Sequence, residues 1–438
     1  NSQNISLRRK YIKNLIPSVA AMWVYSIYTI IDGIFVGKGV GSTALAGVNL
    51  SMPFINLIFA SSIFFATGTS TLVSIYLGKK EVKKANEVFS YNILIMIIFS
   101  IGLLLFTLLF MDKIAIFLGA TDNTFSIVKD YLTIIACFNV FFIVSYCLEV
   151  LTKADGFPHL AIIGVVISAI TNIILGFGVK GAAVATGISQ IASCAFFAIH
   201  FLRPASTLKF TKFKASFKIL KKIINIGFPD GITELTSGVV ILIFNQSILH
   251  FIGEDGLITY SIICYVSTLV LMTMIGATQG VQPLCSYYYG QNDLISIKYL
   301  FKLTFKVISI ISVVITLFCI LFASQIVNLF LDNTDITLVN NSITIFRIYS
   351  TSFLILGFNI LASGFCVSIE KPLFATIISL SRGFVLIILS LLISIILFGG
   401  KGIWISTIIS ETLCLVISFT STQKSFTLIE HKNLKTEI

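Results

Sequence analysis

Long apolar runs alternate with short charged or turn-rich segments along the whole chain. A helix that spans a bilayer needs about 20 mostly apolar residues, and the runs that reach this length predict twelve transmembrane helices. They lie near residues 11–36, 44–77, 86–111, 124–150, 159–177, 182–202, 223–252, 257–282, 298–330, 338–366, 373–398 and 403–421. Several runs exceed the thickness of a bilayer, so these helices are expected to tilt or to continue beyond it.

The composition agrees with an all-α integral membrane protein. Of the 438 residues, 56% are hydrophobic and 11% charged, and the mean hydropathy is +1.00, whereas about 25% of the residues of a soluble domain are charged. Twelve helices leave no room for a large soluble domain. The sequence contains no HExxH, GxxxxGK[ST] or GxSxG motif, so we expect neither an enzyme nor a bound cofactor.

The net charge of +11 is explained by membrane topology. In the predicted topology, 23 Lys and Arg residues fall on the side that carries both termini, and five fall on the opposite side. Because loops rich in Lys and Arg stay in the cytoplasm, both termini are expected to be cytoplasmic in a multi-pass protein of the plasma membrane. The charge therefore does not indicate a nucleic-acid partner.

The chain contains an internal duplication on either side of a Lys-rich linker. Three offsets, of 212, 214 and 221 residues, align segment 66–78 with 278–290, 158–161 with 372–375, and 181–190 with 402–411. The predicted units are an N-lobe (1–202), a cytoplasmic linker (203–222) and a C-lobe with a short tail (223–438).

Each lobe has an even number of helices, so both lobes enter the membrane in the same direction. The predicted fold is therefore two six-helix bundles related by a pseudo-two-fold axis along the membrane normal, as in secondary transporters with parallel repeats. Two such bundles leave a central cleft that can open to either side.

The two lobes differ in length at one place. Pro158 and Gly181 are 23 positions apart, but their counterparts Pro372 and Gly402 are 30 apart. The first lobe is thus seven residues short around 172–179. Either its fifth helix and outer loop are curtailed, or residues are missing from the sequence there.

Four segments carry a resemblance to a known family. They are IDGIFVGKGVGSTALAGVNLSMP (31–53), GVQPLCSYYYGQ (280–291), KADGFPHLA (153–161) with NIIL (172–175), and GVKGAAVAT (178–186). With these segments the chain resembles the multidrug and toxic compound extrusion (MATE) transporters, in a bacterial branch of multidrug exporters linked to antibiotic resistance.

The resemblance implies an antiporter that works by alternating access, with two rocking lobes. It would export amphipathic, often cationic small molecules in exchange for inward Na⁺ or H⁺, as a monomer in the lipid bilayer. A lipid-linked saccharide flippase of the same superfamily is the alternative. A flippase would need several Arg and Lys residues in the cleft, and the basic residues not assigned to one side of the membrane are only Arg347 and Arg382.

The resemblance also implies a cation or proton coupling site in the N-lobe. The family's acid on helix 1 corresponds to Asp32, with Tyr28 one turn before it, and the family's Asn and Thr ligands correspond to Asn172 and Thr186. A second family acid falls on Gly176. Three oxygen-bearing side chains would suit Na⁺, whereas a single acid would suit H⁺.

The sequence around Asp32, taken without the resemblance, allows two interpretations of this residue. An ionised carboxylate deep in a transmembrane helix costs at least a few kcal/mol, so Asp32 is either protonated, bound to a cation or satisfied by neighbouring hydroxyl groups. Tyr25 and Tyr28 lie on the same helical face. Asp32 is therefore a candidate coupling carboxylate or a buried structural acid.

Other charged residues fall inside predicted helices. Asp230 and Glu234 share a face of helix 7: Glu234 either neutralises a cationic substrate or serves as a second proton site, and Asp230 is expected to be solvated near the cytoplasm. Arg382 and Glu411 lie at equal depth in antiparallel helices and are expected to form an ion pair. Glu149 is expected at the interface. Arg347 would pair with an acid of the 331–335 segment or extend outward.

Overall fold

The computed structural model describes the backbone of residues 2–40, 42–118, 120, 122, 124–175, 178–330 and 336–436. Side chains are described for the same residues apart from 2–3, 25, 28–40, 42–49, 52, 173–175, 178–180, 182, 242, 245, 249, 254, 257–258, 261, 329–330 and 431–436. Within these ranges the chain consists of helices, turns and one extended linker, without strands.

The helices follow the apolar runs, because backbone groups inside a bilayer must find hydrogen-bond partners within the chain. In the described ranges they are α1 (Ser2–Val40), α2 (Ser42–Gly78), α3 (Val82–Leu109), α4 (Met111–Phe117), α5 (Phe125–Ala154), α6 (Pro158–Leu175), α7 (Gly178–Leu202), α8 (Phe217–Phe251), α9 (Glu254–Gly290), α10 (Leu294–Leu321), α11 (Ala323–Phe330), α12 (Ile336–Ser350), α13 (Phe353–Ser368), α14 (Pro372–Leu380), α15 (Leu386–Phe398) and α16 (Gly402–Thr436). A π-helical turn, Ser381–Val385, joins α14 to α15.

These helices make twelve crossings, which confirms the predicted fold class. Among the described residues, nine stretches are long and apolar enough to span a bilayer. The longest, Pro372–Glu430, contains two crossings, because the turn Gly399–Lys401 sends the chain back and α16 packs along α15. Gly399 has a φ of +63°, a conformation that glycine adopts without steric cost. The long α1 and the shorter apolar α6 complete the set.

Hydropathy does not reveal where individual crossings are interrupted. The predicted helices 9, 10 and 11 are each divided, into α10 and α11, α12 and α13, and α14 and α15. Short polar stretches such as 350–352 and 381–382 lie at two of these breaks, but long apolar runs surround them, so the mean hydropathy over a helix length stays high through each break. The last helix, in contrast, continues to Thr436, well past its predicted end at residue 421.

The first six crossings (α1–α7) and the last six (α8–α16) form two bundles in parallel orientation, each with its own main core. Leu132 and Phe197 are buried in the first core, and Phe346 and Phe353 in the second. Both cores also cross the boundary between the bundles, because Tyr11 of α1 packs into the second core, and Ile223 of α8 and Cys366 of α13 pack into the first. The two bundles are thus joined by apolar packing as well as by the linker.

The bundles meet where α1 packs against α9, and α2 against α8 and α9. Four glycines bring main chains into direct contact there. A Cβ atom on Gly68 would lie 2.0 Å from the Ile223 carbonyl oxygen, and one on Gly227 would lie 1.9 Å from that of Phe64. Gly78 and Gly290 approach the carbonyl groups of Tyr287 and Ile75 in the same way, at 1.9 and 2.1 Å. We call these four residues the glycine seam.

The glycine seam closes one end of the molecule. This end carries the start of α1, the turn between α2 and α3, and the turn between α9 and α10, and we call it the terminal face. There Lys10 Nζ donates to the Tyr288 hydroxyl at 3.0 Å. Because helices this close cannot admit a solute between them, the path between the bundles is shut at the terminal face.

The linker between α7 and α8 is bound to the first bundle. Asp155, at the end of α5, accepts hydrogen bonds from the backbone N–H groups of Thr207 (2.9 Å) and Leu208 (3.1 Å) and from the Ser206 hydroxyl (2.8 Å). Further along, the Thr211 N–H donates to Ser90 Oγ at 2.8 Å. Asp155 is buried, so its carboxylate fixes the path of the linker.

Candidate functional site

A central cavity of about 350 Å³ lies between the two bundles. This volume suits a small organic molecule. Most of the wall is apolar or aromatic, with Phe59, Phe244, Leu271, Met272 and Leu356 among the lining residues. The polar lining residues include Tyr146, Glu149, Asp230, Glu234, Gln279, Asn359, Arg382 and Glu411.

Asp230 and Glu234 lie one turn apart on α8, and both line the cavity as one acidic face. The shared face confirms the predicted spacing. Asp230 is not at a solvated helix end as expected: it lines the cavity close to Thr67 of α2, in the other bundle. Pro229 removes a backbone donor from α8 here, and the Thr233 hydroxyl donates to the Pro229 carbonyl at 2.7 Å.

A buried ion pair in the first bundle adds a third acid to the cavity wall. Lys153 Nζ lies 3.6 Å from Glu149 Oε1 on the next turn of α5, and their side chains are only 1% and 9% exposed. The prediction of an interfacial Glu149 was wrong, and Lys153, which lies beyond the predicted helix 124–150, belongs to the last turn of α5. Neighbouring opposite charges reduce the cost of burying each other, which is why both can lie inside the protein.

The same lysine connects the two bundles. Lys153 Nζ donates to Gln279 Oε1 of α9 at 3.2 Å, and Gln279 Nε2 donates to the Tyr146 hydroxyl at 3.3 Å. The offset of 212 residues places Gln279 at the position that Thr67 occupies in the first half. Thr67 and Gln279 therefore line the cavity at equivalent positions of the two bundles, which the repeated segment could have indicated.

Removal of the lysine is expected to destabilise the protein. A Lys153→Met variant leaves the Glu149 carboxylate buried without its cation, which costs about 3–5 kcal/mol. Thermal unfolding of the purified protein in detergent should show a lower midpoint. The double variant Lys153→Met/Glu149→Gln serves as the control and should recover most of the loss, because no charge is left unpaired. Equal midpoints for wild type and the single variant would contradict this expectation.

The structure brings together two of the predicted coupling-site residues. Asn172 on α6 and Thr186 on α7 are buried, and Asn172 Nδ2 donates to Thr186 Oγ1 at 2.9 Å. The side chains of Tyr28 and Asp32 lie outside the described residues, as does Gly176. The juxtaposition of Asn172 and Thr186 puts two potential oxygen ligands side by side inside the first bundle.

The predicted difference in length between the lobes falls on the same helix. α6 spans 18 residues, whereas its counterpart runs through α14, the π turn and α15 from Pro372 to Phe398. The connection between α6 and α7 includes residues 176 and 177, which lie outside the described residues. The two explanations of the seven-residue difference therefore both remain.

In the second bundle the predicted Arg382–Glu411 ion pair is confirmed. Arg382 Nε lies 3.0 Å from Glu411 Oε1 and 3.3 Å from Oε2. Sequence reasoning missed Asn359, whose Nδ2 donates to Glu411 Oε2 at 2.7 Å. A lone Asn in the apolar run of α13 was its only signal. Arg347 donates from Nε to the Ile320 carbonyl at 3.1 Å, and its expected acidic partners, Asp332 and Asp335, lie outside the described residues.

Comparison with known proteins defines the class. The MatE family model matches residues 17–177 and again 231–392, once in each bundle and in the register of the duplication. Together the two matches cover well over half of the chain. The chain therefore belongs to the MATE family of membrane transporters, as the sequence resemblance predicted.

Particular relatives lie within this family. The chain is 29% identical over 409 residues to the multidrug export protein MepA of Staphylococcus aureus, covering 91% of this chain and 90% of MepA. MepA of Staphylococcus saprophyticus is 28% identical over 409 residues, which again cover 91% of this chain and 90% of the relative.

Solved structures share the fold. One, described as the outward-facing conformation of a multidrug resistance MATE family transporter, superposes with a TM-score of 0.92 at 20% identity, covering 97% of both chains. A transporter from Pyrococcus furiosus, described as having a binding pocket of reverse polarity, superposes with a TM-score of 0.90 at 20% identity and the same coverage.

Proposed function

We propose that this protein is a secondary active antiporter that exports amphipathic, often cationic drugs or toxic compounds in exchange for inward Na⁺ or H⁺. The observation that carries the proposal is the central cavity: it has an acidic face on α8, a largely apolar wall, and is shut at the terminal face by the glycine seam. The MepA relatives, named as multidrug export proteins, support it.

The cavity wall matches the proposed substrates. Apolar and aromatic side chains offer a surface for an amphipathic body without demanding one shape. Asp230 and Glu234 supply negative charge on the α8 face. Glu149 adds little to it, because Lys153 neutralises that carboxylate. Glu234 is thus the group that we propose to neutralise the substrate's cationic centre, with Asp230 one turn away on the same face.

The coupling site is proposed in the N-lobe, at Asp32, Asn172 and Thr186 with Tyr28 nearby. Its support is the hydrogen bond between Asn172 and Thr186 in a buried position. A carboxylate beside two oxygen-bearing side chains would attract Na⁺, while an acid exchanging only its own proton would couple to H⁺. Both ions remain candidates.

The closed terminal face supports alternating access as the proposed mechanism. The distribution of Lys and Arg favours a cytoplasmic position for both termini, so the described state would be closed to the cytoplasm. Separation of the glycine seam would open the cavity to the cytoplasm. The two lobes, 1–202 and 223–438, would then rock about the linker 203–222 as two units.

The proposal is tested in proteoliposomes loaded with a fluorescent lipophilic cation. Export by the wild-type protein is measured under an imposed Na⁺ gradient and, separately, an imposed H⁺ gradient. We expect export above that of protein-free vesicles under one of them, and that gradient identifies the ion. Absence of export under both would contradict the proposal and favour the flippase alternative.

The same assay examines the acidic face. A Glu234→Gln variant is expected to need about tenfold more of the cation for half-maximal export, equivalent to about 1.4 kcal/mol. Export of a neutral amphiphile of similar size serves as the control and should not change. Unchanged half-saturation for the cation would place the cationic centre elsewhere.

A further inference from the structure

A charged cluster is built into the wall of the second bundle. Arg382 and Glu411 line the cavity with side chains 15% and 7% exposed, and the guanidinium approaches both carboxylate oxygens. Asn359 donates to the same carboxylate, and the Ser418 hydroxyl donates to Asn359 Oδ1 at 2.8 Å. Glu411 is thus a buried acid with a cation and an amide donor already in place.

The duplication shows which residues of the first bundle occupy the positions equivalent to Arg382 and Glu411. The offset of 214 residues that relates α6 to α14 carries Ser168 to Arg382, and the offset of 221 that relates α7 to α16 carries Gln190 to Glu411. Gln190 Nε2 donates to Ser168 Oγ at 3.5 Å. The same inter-helix contact is therefore neutral in the first bundle and an ion pair in the second.

This position lies one helical turn from the proposed coupling residues. Thr186 precedes Gln190 by four residues, and Asn172 follows Ser168 by four. In the second bundle the positions equivalent to Thr186 and Asn172 hold Thr407 and Leu386. The second bundle therefore has a buried carboxylate near the equivalent site, but its cation belongs to the chain.

We propose that the Arg382 guanidinium is a tethered cation that occupies the place of a free coupling ion at Glu411. This inference rests on the proposed antiport function and extends it: coupling would be confined to the N-lobe. A buried carboxylate in a membrane protein needs a counter-charge, and arginine stays protonated at all physiological pH values. Na⁺ or H⁺ could bind to Glu411 only by displacing the Arg382 side chain. That side chain cannot diffuse away, because its own helix holds it next to the carboxylate.

The π-helical turn Ser381–Val385 is consistent with this role. Such turns insert one extra residue into a helix and often mark functional positions. Here the turn contains Arg382, and the neighbouring Gly383 packs against Thr236 of α8, whose Oγ1 would lie 2.9 Å from an added Cβ. The helix is therefore irregular at the same residues from which the Arg382 guanidinium reaches Glu411.

The inference is tested by counting bound cations in the purified, full-length protein in detergent. Wild type, Arg382→Met and the double variant Arg382→Ser/Glu411→Gln are titrated with Na⁺, followed as ²²Na⁺, and with acid, followed as proton uptake. Arg382→Met should bind one more cation per molecule than wild type, because Glu411 no longer has the Arg382 guanidinium as its counter-charge. The double variant copies the Ser168–Gln190 pair and should return to the wild-type count, as should Arg382→Lys.

Equal counts for wild type and Arg382→Met would overturn the inference. So would an altered affinity for the fluorescent cation with an unchanged ion count, because Arg382 would then be a substrate contact. If Arg382→Met does not stay folded, the neutral double variant Arg382→Ser/Glu411→Gln is the deciding measurement. A number of bound cations different from that of wild type overturns the inference, and so does failure of this variant to fold. The titration needs no transport, so absence of export from proteoliposomes would count against the proposed function alone.

Discussion

A Gly68→Ala variant is expected to export the fluorescent cation no faster than protein-free vesicles. The added methyl group would lie 2.0 Å from the Ile223 carbonyl oxygen, with further backbone atoms of that residue at 2.7 and 3.0 Å. Backbone atoms of packed helices cannot move aside as a flexible side chain can. The terminal face should therefore fail to close, and a transporter that cannot close one face cannot complete its cycle.

Gly102→Ala is the matched control, because a Cβ atom on Gly102 meets no other atom within 4 Å. It should export at the wild-type rate. Spin labels at positions 83 and 295, in a background without native cysteines, report the opening directly, because Lys83 and Ile295 are exposed on the two bundles near the terminal face. Their separation should increase in Gly68→Ala. Wild-type distances together with wild-type export would contradict the role of the glycine seam.

An Asp32→Asn variant is expected to lose export under both the Na⁺ and the H⁺ gradient. Asparagine has nearly the shape of aspartate but can neither carry a negative charge nor take up and release a proton. The proposed N-lobe site would then have no group whose charge changes with the bound ion, and the gradient could no longer drive the cycle. The measurement is the initial rate of gradient-driven export in proteoliposomes.

Two comparisons make the Asp32 result specific. Asp112→Asn removes an acid whose side chain is 65% exposed and pairs with Lys129; exposed pairs of this kind contribute about 1 kcal/mol at most, so its export should equal wild type. Binding of the fluorescent cation to Asp32→Asn in detergent should persist within about threefold, less than 1 kcal/mol. Gradient-driven export retained by Asp32→Asn would refute the assignment of the coupling acid.

Much of the fold could be predicted from the pattern of apolar residues. Spanning length, loop charge and the internal duplication are each properties of long segments, and they led to twelve helices in two parallel bundles. The Arg382–Glu411 pair was predictable for a related reason. Equal depth in adjacent antiparallel helices is a geometric consequence of helix length, and two opposite charges in an apolar layer have strong reason to meet.

The cavity wall was less predictable, because burial depends on partners from distant segments. Lys153 lies next to the turn after α5, beyond the predicted helix 124–150, but Glu149 and Gln279 hold it inside the protein. Asn359 gave almost no signal, since a single amide in an apolar helix is common and its partner Glu411 lies 52 residues away. Such contacts become visible only when the packing of helices is known.

The docked linker also sets a mechanical limit. Thr211 is bonded to the first bundle, and α8 begins at Phe217, so only residues 212–216 are free to change their path. Five residues reach at most about 17 Å when fully extended. While Thr211 stays bonded to Ser90, the start of α8 remains within about that distance of the first bundle. In the proposed transport cycle the linker would therefore act as a stop that limits how far the terminal face can open.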